Sequence, residues 1–417
     1  MKEKRTLIAI FVIALALRLL YAVSLHIEIH TVASPNGSDE EIQISWKRGD
    51  PQGPDAPMYD LLARNLLQRK TYVVPAIFGK ELLAFRPPLL SFLLAGIYSV
   101  FGHSYFAAEV VLCLISSGTC LLMYGMSSEL FGRRAGLFSA MLSVIYPSFI
   151  YYSSTICTET LYTFCLVGAM WLLLRAGPDF RSPQKWAAAG IAFGFGVLAR
   201  TQLVAFLPMI LVWALISFPR KLPALYGWVL CVALALFTMM PWLLRNYLML
   251  GSAVLTTDGG YTFWSGNHPG STGGGETFIP ANPSRFARLP EIEMDREFLR
   301  AGFEFVYQNP PRFRNLVFLR LWNLWRPFPH ADHVGFGKSV VGGIEFIVVL
   351  GLGICGAFVQ RSRWRVLLLF ILLFVCMSAV HMVFMSVTRY RIPLMPFFMV
   401  FAGAALACLA GKKSNSP

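Results

Sequence analysis

Apolar runs of about 20 residues recur along this chain from end to end, separated by short polar and basic connections. A helix rising about 1.5 Å per residue needs that length to cross a hydrocarbon core roughly 30 Å thick. The first run follows a basic start, "MKEKRTLIAIFVIALALRLLYAV". It is too long for a secretory leader and meets no small-residue cleavage site, so it reads as a span with the N-terminus inside. Arg18, toward its far end, can snorkel or face the bundle. Further spans are expected near 106–129, 135–152, 159–175, 186–200, 202–218, 223–244, 340–359, 366–386 and 392–410. The pattern predicts an all-α polytopic membrane protein, one integral domain over 1–417, with about 10 transmembrane helices and further juxtamembrane helices on the outer face.

Charge between the spans sets their direction. Arg133 with Arg134, the stretch from Arg175 to Lys185, Arg220 with Lys221, Arg361 to Arg365, and Lys412 with Lys413 all fall in short connections. Placed in the cytoplasm, as the positive-inside rule requires, they let the spans alternate without conflict and leave both termini inside. An odd number of crossings must then separate the outer end of the first span from Arg133 and Arg134. Residues 106–129 are long enough to cross. "LLSFLLAGIYSVF" (89–101), behind an Arg-Pro-Pro step, makes a helix of only about 20 Å and is expected to lie in the interface or re-enter. Residues 26–105 then form a first outer (periplasmic) loop, and the same parity makes 246–338 a second large one. Within it, "FRNLVFLRLWNLWRPF" (313–328) carries Arg314, Arg320, Asn323 and Arg326 with Trp322 and Trp325, and reads as an interfacial helix.

Composition agrees with the pattern. The chain is 56% hydrophobic and 14% charged, with roughly half the charge usual in a soluble protein, and its mean hydropathy is +0.58. The net charge of +14 follows from the cytoplasmic connections. No basic stripe alternates with exposed aromatics, so a nucleic-acid role is not expected. Of eight cysteines, Cys113, Cys120, Cys165, Cys231, Cys355, Cys376 and Cys408 sit in apolar runs without metal or redox spacing, and read as small buried hydrophobes.

Polar residues with chemical potential collect on the outer side. In "GPDAPMYDLLARNLLQ", Asp55, Tyr59 and Ala63 share one helix face, with Asp55 in or before the first turn. It is either a plain N-cap or a reactive carboxylate, whereas Asp60 is expected to be solvated. The turn "YPSFIYYSSTICTE" ends in Glu159 at the mouth of the next span. Glu159 is either a solvated span end or, if the turn folds over Asp55, a metal-ligand or acid candidate. Arg86, Arg200, Arg245, Arg389 and Arg391 also fall at outer positions, the last two flanking Tyr390 in "SVTRYRIPLMP". The positive-inside rule does not account for them. Lipid headgroup contact accounts for any one of them and less well for all five, whereas a phosphate anion at membrane depth suits the set, because guanidinium binds it through paired, charge-assisted hydrogen bonds. "TTDGGYTFWSGNHPGSTGGGE" (256–276) suits a ligand-covering loop or a plain flexible turn, and His268 is either a metal or phosphate contact or, as a lone loop histidine, neither.

"DAPMYDLLARNLL", "RPPLLSFLLAGIYSVFG", "FGRRAGLFSAMLSVIYPSFIYYSSTICTETL", "LARTQL" and "RYRIPLMP" together resemble the GT-C clan of polytopic glycosyltransferases. The resemblance is to the branch of protein O-mannosyltransferases and aminoarabinose transferases. It implies a sugar donor linked to polyprenyl or dolichyl phosphate, and a lipid, glycan or protein acceptor. It also implies Asp55 as the catalytic acid of the first outer loop, Glu159 near a second acidic site, and the arginines, with Tyr59, Tyr390 and His268, as donor-binding residues. Two adjacent acids are common in that first loop. Here Ala56 follows Asp55, so a divalent metal stays open and no cofactor is required. Asp55 is then a general base for an inverting transfer at the outer leaflet, in a protein of the bacterial inner membrane facing the periplasm. The rival readings are a transporter or flippase of a lipid-linked anion, and a non-catalytic membrane subunit. Transporters place ionisable residues near the midplane on broken, repeated helices, whereas here charge gathers at one face.

Overall fold

The computed structural model describes residues 2–33, 40–46, 55–77, 80–177, 182–274, 286, 288–330 and 334–412. Lys413 and part of the stretch from Arg175 to Lys185 lie outside them. The chain runs α1 (Lys2–His26), an antiparallel hairpin of β1 (Ile27–Ala33) and β2 (Glu40–Trp46), α2 (Ala56–Gln68), a second hairpin of β3 (Val74–Ile77) and β4 (Lys80–Leu82), α3 (Leu89–Phe101), α4 (Tyr105–Phe131), α5 (Arg133–Ile145), α6 (Pro147–Ser153), α7 (Thr158–Ala176) and α8 (Pro183–Ala199). After a 3-10 segment, Thr201–Phe206, follow α9 (Leu207–Ser217), α10 (Lys221–Leu250), α11 (Gly259–Gly266), α12 (Glu291–Gln308), α13 (Pro310–Trp325), α14 (Phe336–Val359) and α15 (Trp364–Val383), then a second 3-10 segment, Thr388–Leu394, and α16 (Met395–Lys412). The frame is helical as expected. The two hairpins correct the strictly all-α reading. Both are short and lie between α1 and α3, where helical periodicity breaks down.

Among the described residues, seven helices are long and apolar enough to cross a membrane, or eight if the bent pair α5–α6 is one span. Of the ten expected spans, the shortfall is α8, with 17 residues, and the 3-10 segment with α9, of 6 and 11 residues. Membrane helices pack where small residues let backbones approach. A Cβ on Gly190 would lie 2.3 Å from Cys231 O, so α8 and α10 meet through that glycine. Helix α3 occupies the expected residues and ends at Gly102, whose φ of +70° a side chain would strain. Cys355 and Cys408 are exposed on helix surfaces, against the expectation that they are buried.

The 56° break between α5 and α6 has a sequence cause. Pro147 has no N–H, so Ser143 O loses its helical donor. Ser148 N–H turns away from Val144 O and donates to Glu345 Oε2 of α14 at 2.9 Å, and its hydroxyl donates to the same carboxylate. Arg18 serves the two freed carbonyls, Nη2 donating to Ser143 O at 3.2 Å and Nη1 to Val144 O at 3.3 Å. Its Nε donates to Ser116 Oγ at 2.8 Å. Arg18 is fully buried, facing the bundle rather than snorkelling.

Helix α13 departs from a simple interfacial helix. Phe318 and Trp322 are exposed, but Arg320 is fully buried. Its Nη1 donates to Met382 O and Val383 O at 2.9 Å each, and its Nη2 to Asn267 Oδ1 at 3.0 Å and to Gly266 O. These carbonyls end α15 and α11, where helix dipoles are negative. Burial pushes the Arg320 guanidinium down to about 10.

Candidate active site

Asp55 occupies the N-cap position of α2, with Pro57 in the first turn. Its backbone carbonyl accepts from Met58 N–H at 3.2 Å and Tyr59 N–H at 3.3 Å, so the main chain starts the helix without the side chain. The carboxylate makes no capping bond. Oδ2 accepts from Arg389 Nη2 at 2.8 Å, and Oδ1 from Arg86 Nη2 at 3.4 Å. Burial pushes the Asp55 carboxyl up, but Arg389 and then Arg86 outweigh it and hold the group below the usual aspartate value.

Arg389 joins this carboxylate to a deeper one. It lies in the 3-10 segment before α16, and its Nε is 3.7 Å from Glu159 Oε1. Glu159 sits in the first turn of α7, where the helix dipole favours an anion. It is fully buried rather than solvated, paired with Arg200 Nη2. Arg200 caps the end of α8 and donates from Nε to Thr158 Oγ1 at 2.8 Å. The Tyr390 ring keeps the two arginines in place, with the Arg200 and Arg389 guanidinium carbons 5.3 and 5.4 Å from its centroid and His381 stacked on it at 4.6 Å. Glu159, at the end of the turn α6–α7, is therefore linked to Asp55 through the single guanidinium of Arg389.

Arg86 faces two acids. Its Nη2 reaches Asp55, and its Nη1 donates to Asp258 Oδ2 at 3.4 Å. Tyr72 OH donates to Arg86 O at 3.0 Å and pins its backbone. Tyr59 is buried within electrostatic reach of Arg86 and Asp55, and burial pushes its hydroxyl up, so it stays protonated. Asp258 is the site residue that sequence reading missed. It stood inside the quoted glycine-rich stretch, but nothing in its spacing pointed to Arg86, 172 residues away. Burial pushes its carboxyl up, with Arg86 opposing.

Three expected contacts are engaged elsewhere. Arg245 Nη1 donates to Leu83 O at 2.5 Å and Asn246 Oδ1 at 2.8 Å, while Nη2 donates to Tyr72 O at 3.1 Å. Arg391 Nη2 donates to Pro327 O at 3.0 Å and Nη1 to Arg326 O, with its guanidinium 3.6 Å from the Phe346 ring centroid. Both arginines anchor backbone instead of joining the cluster. His268 is buried, stacks on Trp264 at 5.1 Å and accepts from Gly270 N–H at 3.1 Å. Asp60 is not solvated. It is buried and accepts from Tyr98 OH at 2.8 Å and Arg64 Nε at 2.9 Å, with His103 Nε2 at 2.8 Å, stapling α2 to α3 and the start of α4.

The cluster therefore has two tiers. Side chains of Asp55, Arg86, Arg389 and Asp258 keep 16–26% of their surface, whereas those of Glu159 and Arg200 keep 8% or less. Three guanidiniums balance three carboxylates. Arg389 Nη1 is buried with no hydrogen-bond partner, a spare donor in the more open tier. Among the described residues, no group of three His, Cys, Asp or Glu is arranged to hold a metal ion. Asp55 and Glu159 share the Arg389 guanidinium, so the residues here do not fit a divalent cation. They do fit an oxyanion, which can take donors from Arg86 and Arg389 beside a carboxylate able to accept a proton.

Residues 85–244 match the family model described as dolichyl-phosphate-mannose-protein mannosyltransferase. The undecaprenyl phosphate-alpha-4-amino-4-deoxy-L-arabinose arabinosyl transferase 2 of Pseudomonas fluorescens is 26% identical over 200 residues, 46% of this chain and 33% of that protein. The corresponding transferase of Erwinia tasmaniensis is 25% identical over 209 residues, 48% of this chain and 36% of that protein. Among solved structures, the Archaeoglobus fulgidus oligosaccharyltransferase AglB, in complex with an inhibitory peptide and a dolichol-phosphate, aligns at TM-score 0.59 and 15% identity, over 98% of this chain and 51% of its own. ArnT from Cupriavidus metallidurans in the apo state aligns at TM-score 0.54 and 16% identity, over 97% of this chain and 61% of its own. The matches thus span about a third of the curated relatives' length, and the structural likeness is one of fold.

Proposed function

We propose that this chain, whose residues 85–244 match the family model described as dolichyl-phosphate-mannose-protein mannosyltransferase, is a GT-C membrane glycosyltransferase that moves a sugar from a polyprenyl-phosphate donor to an acceptor on the outer face, with inversion. Asp55 accepts the proton of an acceptor hydroxyl or amine. That oxygen or nitrogen forms a bond to the anomeric carbon as the bond from that carbon to the phosphate oxygen breaks, and the polyprenyl phosphate leaves with the electron pair. Arg86 and Arg389 receive the developing charge, while Arg200 neutralises Glu159 beneath them. Donor phosphate competes for the guanidiniums that hold Asp55, and drawing them away strengthens the base when the donor is present. The observation that carries this reading is an N-cap carboxylate without a capping bond, held between two partly exposed arginines.

The membrane arrangement is part of the proposal. Ten crossings place both termini inside and make 26–105 and 246–338 outer loops. Helix α8 and the segment Thr201–Ser217 lie at the lower edge of spanning length. Arg200 stands between them yet pairs with Glu159, which shares Arg389 with Asp55. That common side supports a crossing by both short segments. The multi-pass protein then sits in a bacterial inner membrane, with prenyl chain and other lipids around it, and its site opens to the periplasm.

The test is sugar transfer by the purified chain from polyprenyl-phosphate-linked sugar to added lipid, glycan and peptide acceptors. Release of polyprenyl phosphate with sugar on an acceptor supports the reading. Movement of intact donor across a vesicle bilayer without cleavage would sink it in favour of a flippase.

A further inference from the structure

Asp258 holds the N-cap position of α11 but makes no side-chain bond to that helix. Asp295 of α12 serves it instead, Oδ1 accepting from Gly260 N–H at 2.6 Å. The Asp258 carboxylate is thereby released toward Arg86 Nη1, 3.4 Å away. The main chain before Arg86 is docked on the same module. Leu83 and Ala84 N–H groups donate to the Glu291 carboxylate at 2.6 and 2.9 Å. Thr257 Oγ1 donates to that carboxylate at 2.6 Å, and Thr257 N–H to Ala84 O at 2.9 Å. Backbone and guanidinium are therefore presented together by residues 257–258 and the start of α12.

We propose that Asp258 is a positioning residue, which by holding one side of the Arg86 guanidinium keeps Arg86 shared between two acids and open to the donor phosphate. Without Asp258, Nη1 and Nη2 of Arg86 are both free to close on Asp55 as a bidentate pair, the strongest arrangement for these groups. Arg86 would then be withdrawn from the phosphate. The proposal rests on the reading that Arg86 meets donor phosphate.

The experiment measures undecaprenyl phosphate binding to the purified full chain, with thermal midpoints recorded in parallel. It compares wild type, Asp258→Asn, Arg86→Ala and the double variant. Arg86→Ala should bind about tenfold more weakly or worse, as for a lost charge-assisted contact. Asp258→Asn should weaken binding about twofold or more, the lower end for coupled neighbours, at an unchanged thermal midpoint. In the Arg86→Ala background, Asp258→Asn should add no further loss, because its effect passes through Arg86. Losses that multiply in the double variant mark a merely structural role and overturn the proposal. Unchanged or tighter binding by Asp258→Asn overturns it too, since Asp258 would then only repel the phosphate. Wild-type binding by Arg86→Ala overturns the phosphate reading of Arg86 itself, and this inference with it.

Discussion

Asp55 starts α2 with its backbone and gives its carboxylate to Arg389 and Arg86, which separates the main-chain and side-chain parts that a helix N-cap usually combines. Asp55→Asn should therefore fold and insert normally, since no side-chain cap is lost. Asn cannot accept a proton at neutral pH, and sugar transfer should fall about 10²–10⁴-fold, the contribution of a general base. Transfer at the wild-type rate would remove Asp55 from the mechanism. The two guanidiniums also make a statement about pH. Arg389 is the larger influence holding the Asp55 carboxyl below the usual 3.8. A base must be deprotonated to act, so the acid limb of kcat/KM should lie below that value in wild type. Arg389→Gln takes away the larger of these influences while Arg86 remains, and the acid limb should move to higher pH. A limb that stays in place would show that Asp55 is not the titrating base. The same contact contributes stability above the unfolded pKa, which is lost as pH falls through the folded one.

Two elements are held by arginines that the membrane pattern alone would send to lipid. Arg18 compensates the break that Pro147 introduces between α5 and α6, and so lets that turn bring Glu159 toward Asp55. Arg320 ties α13 to the ends of α11 and α15, just before the segment that carries Arg389. Replacing it with Leu would leave several buried carbonyls without donors, at about 1–3 kcal/mol for each group left unsatisfied. Arg320→Leu should lower the thermal midpoint in detergent by several degrees or prevent recovery of folded protein. Arg314→Leu, on the same helix and without such contacts among the described residues, should change the midpoint little. Equal behaviour of the two variants would mean that α13 is held by its apolar face alone.

At the scale of the molecule, the site is made of helix ends. Asp55 precedes α2, Arg86 precedes α3, Glu159 starts α7, Arg200 follows α8, Asp258 precedes α11 and Arg389 precedes α16. A cluster drawn from so many ends needs all of them to reach the same side, which the proposed ten-crossing arrangement provides. Cysteines at Glu81 and at His103, on either side of α3, should both react with an impermeant thiol reagent added outside. One at Arg363, between α14 and α15, should react only after the membrane is opened. Protection of the His103 position would mean that α3 crosses, and the loop assignments would then fail.

Period and length of the apolar runs determined the helical membrane frame, because a bilayer imposes both on any chain that crosses it. They placed α3 at residues 89–101 and marked Asp55, Arg86, Glu159, Arg200 and Arg389 as polar residues on the outer side. Which arginines join the acidic cluster was decided only by tertiary contact. Arg245 and Arg391 have the same sequence signature as Arg389, yet they satisfy carbonyls that the chain leaves exposed elsewhere, and one-dimensional spacing carries no record of those carbonyls. Asp60 and Asp55 are five residues apart on one helix, and what divides staple from candidate base is the neighbour each meets across the fold. Asp258 entered the site for the same reason: its partner comes from a distant loop, and a contact between distant loops exists only once the helices beneath them have packed.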